Sequence, residues 1–165
     1  MIRTMTIEDY EGVYALWHKI RGFGIRSVDD SYKGVRRFLE RNPRTSVVAV
    51  EDDKIVGSIL CGHDGRRGCL YHVCVDEDYR RRKIGHSMVV TAMEALQKEE
   101  INKVSLIAFT KNDIGNAFWN TIGWVQRKDL NYYDFILNEK NITAFIGENT
   151  YDTENKRRRN SSKRI

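Results

Sequence analysis

No run of eighteen uninterrupted apolar residues occurs in the 165-residue chain, so a membrane-spanning helix is not expected. The first residues, Met1-Ile2-Arg3-Thr4, lack the basic-then-apolar order of a secretory signal, and the cytoplasm is the default address. Cysteine is scarce. Cys61, Cys69 and Cys74 are odd in number and without metal-ligand spacing, which argues against a disulfide framework or a bound metal and for reduced thiols. No internal repeat is visible. What is present, 41% hydrophobic and 31% charged residues, is the composition of one folded globular domain.

The net charge of +5 points at first to a nucleic-acid partner. Its distribution argues otherwise. Residues Thr150 to Ile165 hold six basic side chains against Asp152 and Glu154, so four of the five units lie in a polar tail. The chain therefore divides into a domain over residues 1–149 and a basic extension over 150–165, expected to be a flexible, solubilising tail. Within the nearly neutral domain the one local cluster is Arg80-Arg81-Arg82-Lys83.

Ile2 and Met5 suggest a short first strand. Thr6-Ile-Glu-Asp9 has the reciprocal spacing of a helix cap, followed by Val13, Leu16, Trp17 and Ile20 at helical intervals. A second amphipathic helix is expected from about Ser31 to Arg41, with Asp29, Asp30 and Ser31 as capping residues. Val47–Val50 and Ile55–Cys61, joined at Asp52-Asp53-Lys54, read as a hairpin, and Cys69–Val75 as a third strand. The basic cluster leads into a helix carrying Ile84, Met88, Val89, Met93 and Leu96. A strand over Val104–Ala108, a helix over Ile114–Thr121 and two closing strands, Trp124–Arg127 and Tyr132–Leu137, complete a mixed α/β or α+β order.

The segment with chemistry in it runs from Val73 to Met88. A helix starting just after a strand presents unpaired N–H groups and the positive end of its dipole, and four cations beside it make an anion site. Gly85 is expected to let a ligand approach the main chain. The loop is not a P-loop, lacking Gly-Lys-Ser/Thr, and not a dinucleotide fingerprint, lacking the glycine triplet.

Two motifs, Arg80-Arg-Arg-Lys83-Ile-Gly85 after Val75-Asp-Glu-Asp-Tyr79, and Asn112-Asp-Ile-Gly-Asn-Ala-Phe118-Trp119-Asn-Thr-Ile-Gly123-Trp124, resemble the two signatures of the GNAT superfamily of N-acetyltransferases. The resemblance covers residues 1–137. It implies the GNAT fold, a mixed but mostly antiparallel central sheet of about six to seven strands flanked by about four helices. It also implies acetyl-CoA as cofactor, with the pantetheine arm along Val73, Cys74 and Val75 where the central strands splay. The pyrophosphate is expected over the backbone of Arg81, Arg82, Lys83, Ile84, Gly85, His86 and Ser87, with Arg80 adding charge. Asn112 resembles a cofactor-contacting side chain and is equally suited to cap its helix.

Lys83 replaces a glycine of the pattern. It is expected to keep its N–H near phosphate and add an ammonium. Were a left-handed backbone required there, lysine would strain the loop by about 1–2 kcal/mol.

The resemblance implies direct attack by a primary amine of a small molecule or peptide, with a main-chain N–H around Val73 to Val75 polarising the thioester. Trp119 stands where the family's proton-donating tyrosine stands, and an indole cannot act as that acid. It either walls the thioester pocket or joins the core. Tyr132 or Tyr133 is a replacement candidate. For the base, the family's positions fall on Cys69, Tyr71 and Ile107. His72 is a further candidate, although strict alternation puts it on the opposite face from Tyr71 unless a bulge intervenes. Water-mediated deprotonation assisted by Tyr71 is equally defensible.

The acceptor side is expected from 23–30 and 127–133, with Asp29, Asp30, Asp129 and Asp134 attracting an amine and Trp17, Phe23 and Tyr132 shaping a pocket. A homodimer is one assembly this allows. The rival readings are a catalytically silent acyl-CoA-binding module and a nucleic-acid binder using the tail. Asn141-Ile-Thr143 and Asn160-Ser-Ser162 match glycosylation sequons, which lack meaning without export.

Overall fold

The computed structural model describes residues 1–147, and the tail lies outside the described residues. In chain order the elements are β1 (Ile2–Thr4), α1 (Tyr10–Lys19), β2 (Gly24–Arg26), α2 (Tyr32–Arg41), β3 (Val47–Glu51), β4 (Lys54–His63), β5 (Gly68–Val75), α3 (Ile84–Lys98), β6 (Val104–Leu106), α4 (Asp113–Thr121) and β7 (Thr143–Phe145). The central sheet runs β1-β3-β4-β5-β6, antiparallel except for the parallel pair β5 and β6. β2 and β7 form a separate antiparallel ribbon. Among the described residues, seven strands, five of them in the central sheet, and four α-helices agree with the expected GNAT architecture.

Capping chemistry sets the first helices. Asp9 accepts the Thr6 N–H at 2.9 Å and takes both Arg3 guanidinium nitrogens at 2.6 and 2.7 Å, tying the start of α1 to β1. The Ser31 hydroxyl accepts the Gly34 N–H and so caps α2. Positive φ at Asp52 and Asp53 makes the two-residue turn that right-twisted strands prefer.

The sheet has a core on each face. Val13, Leu16 and Trp17 of α1 and Val35 and Leu39 of α2 cover one face. Met88, Val89, Ala92 and Leu96 of α3 cover the other, where Phe118, Trp119 and Trp124 also pack. Trp119 therefore packs, partly buried, against this core, edge-on to Phe118 and tilted against Trp124 at 5.0 and 4.9 Å between centroids.

The closing strands expected at Trp124–Arg127 and Tyr132–Leu137 do not form. β6 ends at Leu106, two residues short of expectation, and the chain beyond it curls into the α4 cap. There the Asn112 N–H and the Asn116 amide both donate to Phe109 O. No ladder is left for a strand to join, and Tyr132 and Tyr133 stand 69% and 85% exposed. The last strand comes later, as β7, whose surroundings fix the loop after α1. Gly22 N–H donates to Ile146 O and Ser27 N–H to Ile142 O. Asn141 accepts the Val28 and Asp29 N–H groups and donates to Asp29.

Candidate active site

β5 pairs with β6 only from Gly68↔Val104 to Leu70↔Leu106. Beyond that the two strands part, and one edge of residues 71–75 has no strand partner among the described residues. The direction of the main chain there follows from the other edge. Asp76 N–H donates to Val56 O in the same register that pairs Cys74 with Ser58. Hydrogen-bonded pairs alternate, so Cys74 turns its N–H and C=O towards β4, while Val73 C=O and Val75 N–H point into the opening. Arg80 Nε reaches Val75 O from this open side at 3.3 Å.

The opening is continuous with the start of α3. Arg81 and Lys83 have φ of 60° and 63°, with Lys83 at the N-cap. This corrects the expectation for Lys83: the position does require a left-handed backbone, and lysine occupies it at a cost of about 1–2 kcal/mol. Left-handed residues alternating with Arg82 turn successive N–H groups towards one concavity, and the helix dipole adds to it. The four cations are not equivalent. Arg80 pairs with Glu77 at 3.3 Å, and Arg82 pairs with Glu51 at 2.8 Å while lying over the Tyr79 ring. Arg81 and Lys83 make no ion pair among the described residues and are the cations free for a ligand.

A β-carbon at Gly85 would sit 3.4 Å from the Phe118 ring and 3.6 Å from Val75 Cγ2, ordinary contact distances that place this turn of α3 against α4 and β5. Asn112 accepts the Gly115 N–H at 3.0 Å and caps α4 across the opening. Ile84, His86 and Ser87 form the first turn of α3, where Ser87 N–H already donates to Lys83 O.

The strand's side chains follow a broken alternation. Between Tyr71↔Leu60 and Cys74↔Ser58, β5 has two residues where β4 has only Ile59. His72 takes up the extra residue with φ 50°, a bulge of the kind that accompanies active sites. Alternation alone would separate Tyr71 from His72, but the bulge puts both on the α1/α2 face. Tyr71 meets Phe38 edge-on, and the His72 ring lies against Trp17 and Phe23 at 4.6 and 4.9 Å. His72 Nε2 is 2.7 Å from Asp30 Oδ1, the side chains being 10% and 5% exposed. The Asp30 contact occupies Nε2, so any base role for His72 falls to Nδ1.

Tyr71 is no base either. Burial, followed by its hydrogen bond with Cys69 and the charges of Cys69 and Tyr132, pushes it to about 12, so at neutral pH it is a phenol able to donate. Burial likewise holds Cys74 at about 11 despite the Ser58 hydroxyl, and Cys61 at about 12, so both thiols stay protonated. Ile107 is exposed just past β6 and offers no titrating group.

Of the expected acceptor-side groups, Trp17 is fully buried with its indole N–H on Ser58 Oγ at 2.9 Å. Asp30 is consumed by His72 and by the Arg26 N–H at 2.6 Å. Asp129 is pushed to about 2 by its hydrogen bond with Arg127, which also neutralises it. Asp29 and Asp134 are exposed, and Phe23 borders the His72 ring. Sequence reasoning missed the Asp30–His72 pair and the role of Asn141, which only tertiary structure brings together. No helix among the described residues is long and apolar enough to cross a membrane.

Residues 10–124 match the family model described as Acetyltransferase (GNAT) family. An acetyltransferase of Sodalis glossinidius is 31% identical over 112 residues, covering 68% of this chain and 78% of the relative. The structure of the PaiA N-acetyltransferase from Thermoplasma acidophilum in complex with coenzyme A superposes with a TM-score of 0.62 at 16% identity, covering 73% of this chain and 86% of that one. The AAC(6')-Iy structure in complex with a CoA bisubstrate analogue gives 0.64 at 15% identity, covering 82% and 97%. With the parted strands, the left-handed loop before α3 and both sequence motifs in place, the chain belongs to the GNAT family and is an acetyl-CoA-dependent N-acetyltransferase.

Proposed function

We propose that this enzyme transfers the acetyl group of acetyl-CoA to a primary amine by direct attack in a ternary complex. The observation that carries the reading is the unpartnered edge of β5, with Val73 C=O and Val75 N–H facing an opening that runs to the α3 N-terminus. Bound acetyl-CoA supplies an activated acetyl thioester. Val73 C=O and Val75 N–H are suited to pair with the amides of a pantetheine arm. The N–H groups from Arg81 to His86, with Arg81 and Lys83 unpaired among the described residues, suit a pyrophosphate. A main-chain N–H of the Val73–Val75 segment would polarise the carbonyl.

The proton inventory favours catalysis by positioning. Tyr71 keeps its proton and Ile107 is apolar; with His72 Nε2 held by Asp30, we take water to receive the amine's proton. Tyr71 and Tyr132 are the phenols available to return a proton to the leaving thiolate. The acceptor is a small-molecule or peptide amine admitted between the loop 23–30 and the exposed chain 127–133, in a cytoplasmic enzyme.

Thermal stabilisation by acetyl-CoA, followed by thiol release with a panel of amines, tests the reading. Stabilisation with turnover supports it. Stabilisation without turnover on any amine would make the domain a silent acyl-CoA-binding module, and no stabilisation would remove both.

A further inference from the structure

His72 occupies a left-handed conformation inside a strand, which costs a non-glycine residue about 1–2 kcal/mol and persists only where the surroundings enforce it. The enforcing contacts are specific. A carboxylate oxygen can only accept, so His72 Nε2 donates to Asp30 Oδ1, and the ring is held against Trp17 and Phe23. The other Asp30 oxygen takes the Arg26 N–H, and Asp30 C=O takes the Tyr10 hydroxyl at 3.0 Å. One buried carboxylate thus joins three things: the loop bordering the acceptor side, the end of β2, and the bulge of β5. Directly after that bulge come Val73 and Val75, whose main chain faces the opening.

We propose that His72 and Asp30 are a positioning pair for acetyl transfer. Their hydrogen bond holds the β5 bulge, sets the register of the Val73–Val75 main chain against the thioester, and couples it to the acceptor-side loop Ser27–Asp30. The inference rests on the acetyl-transfer reading above. It separates two functions along one ligand: pyrophosphate binding lies with the loop before α3, and thioester alignment lies with the buried pair.

The test uses the full chain and three variants, with CoA binding measured by calorimetry and kcat and KM measured with the best amine of the panel. His72→Gly removes the ring and relieves the strained backbone, so a loss in this variant belongs to the ring with its hydrogen bond and not to φ. Its CoA dissociation constant is expected to stay within about threefold, while kcat falls ~10–100-fold, the range expected for a reacting group displaced by about an ångström. His72→Gln, whose amide N–H reaches the same carboxylate, is expected to recover most of kcat. Asp30→Asn, whose single side-chain oxygen can accept from only one of the two donors, is expected to lower kcat and raise KM for the amine. Combined with His72→Gly it should lower kcat no further than the worse single change, because both act through one bond.

Wild-type kcat in His72→Gly would overturn the proposal. So would parallel loss of CoA binding and melting temperature in His72→Gly and His72→Gln, which would reduce the ring to core filling. Independent, multiplying losses in the double variant would overturn the coupling. If the wild-type chain itself neither binds acetyl-CoA nor releases thiol, it is the parent reading that fails.

Discussion

Lys83 allows backbone strain and ligand charge to be measured separately at one position. Its φ of 63° costs about 1–2 kcal/mol in a residue with a β-carbon. Glycine would remove that cost but return about 0.5–1 kcal/mol through its freer unfolded chain. Lys83→Gly should therefore stabilise the free protein by about 0.5–1 kcal/mol, and ~1 kcal/mol raises the melting temperature of a chain this size by roughly 2–4 °C. Lys83→Ala keeps the left-handed backbone with a β-carbon and should gain nothing. Both variants lose an ammonium that makes no ion pair among the described residues. In a water-like dielectric at about 4 Å that charge contributes ~1 kcal/mol towards an anion, or roughly fivefold in CoA affinity. Both should show that loss at low ionic strength, and it should shrink at high salt. Differential scanning fluorimetry of the free proteins and calorimetric titration with CoA at two salt concentrations read the two effects. A glycine variant no more stable than the alanine variant would refute the strain argument, and unchanged affinity in both would remove Lys83 from the anion site.

Burial alone would raise the Asp76 carboxyl, but hydrogen bonds from Lys19 and the Asp78 N–H and the charges of Lys19 and Arg80 outweigh it and hold the group below its ordinary value. A depressed carboxyl contributes stability above its unfolded value near 4, and the contribution disappears as pH falls through its folded value. Lys19→Met should accordingly melt below wild type at pH 7, with the gap closing in acid; a gap independent of pH would refute this. Gly34→Ala would drive a β-carbon into the main-chain carbonyls of Val28 and Asp29, so the melting temperature should fall by at least several degrees, the overpacking penalty being about 1–3 kcal/mol. An unchanged melt would show that this loop yields freely. Timed thiol labelling of the native protein should find Cys69 fast and Cys61 and Cys74 slow, since the latter two are buried and held near 12 and 11. Rapid labelling of all three would contradict the packing.

The elements legible in the sequence were those whose signals are local. The helical spacing after Thr6, the Asp52-Asp53 turn and the aromatic and β-branched run of β5 all gave elements within a few residues of those observed. The chemistry-bearing loop was legible for the same reason, because strand, cluster and helix follow one another directly. The closing strands failed because Tyr132–Leu137 has strand propensity but needs an edge, and β6 is too short to offer one. Likewise β2 and β7 are three residues each, paired across more than a hundred positions, with no local pattern to announce them. The left-handed backbone of Lys83 and the face of His72 are properties of φ that residue type argues against. There the local preference pointed one way and the assembled site the other.

A regular strand can show one face only every second residue, about 6.6 Å apart. By spending one extra residue at His72, β5 brings two adjacent side chains, with α-carbons about 3.8 Å apart, onto the same surface and then returns Val73 to the opposite one. The strand thus works as a phase shifter. Upstream its parity suits pairing with β6; downstream it suits an opening with no strand in it. Deleting that single residue would do more than shorten the strand: it would restore an unbroken rhythm and merge two environments that the fold keeps out of step.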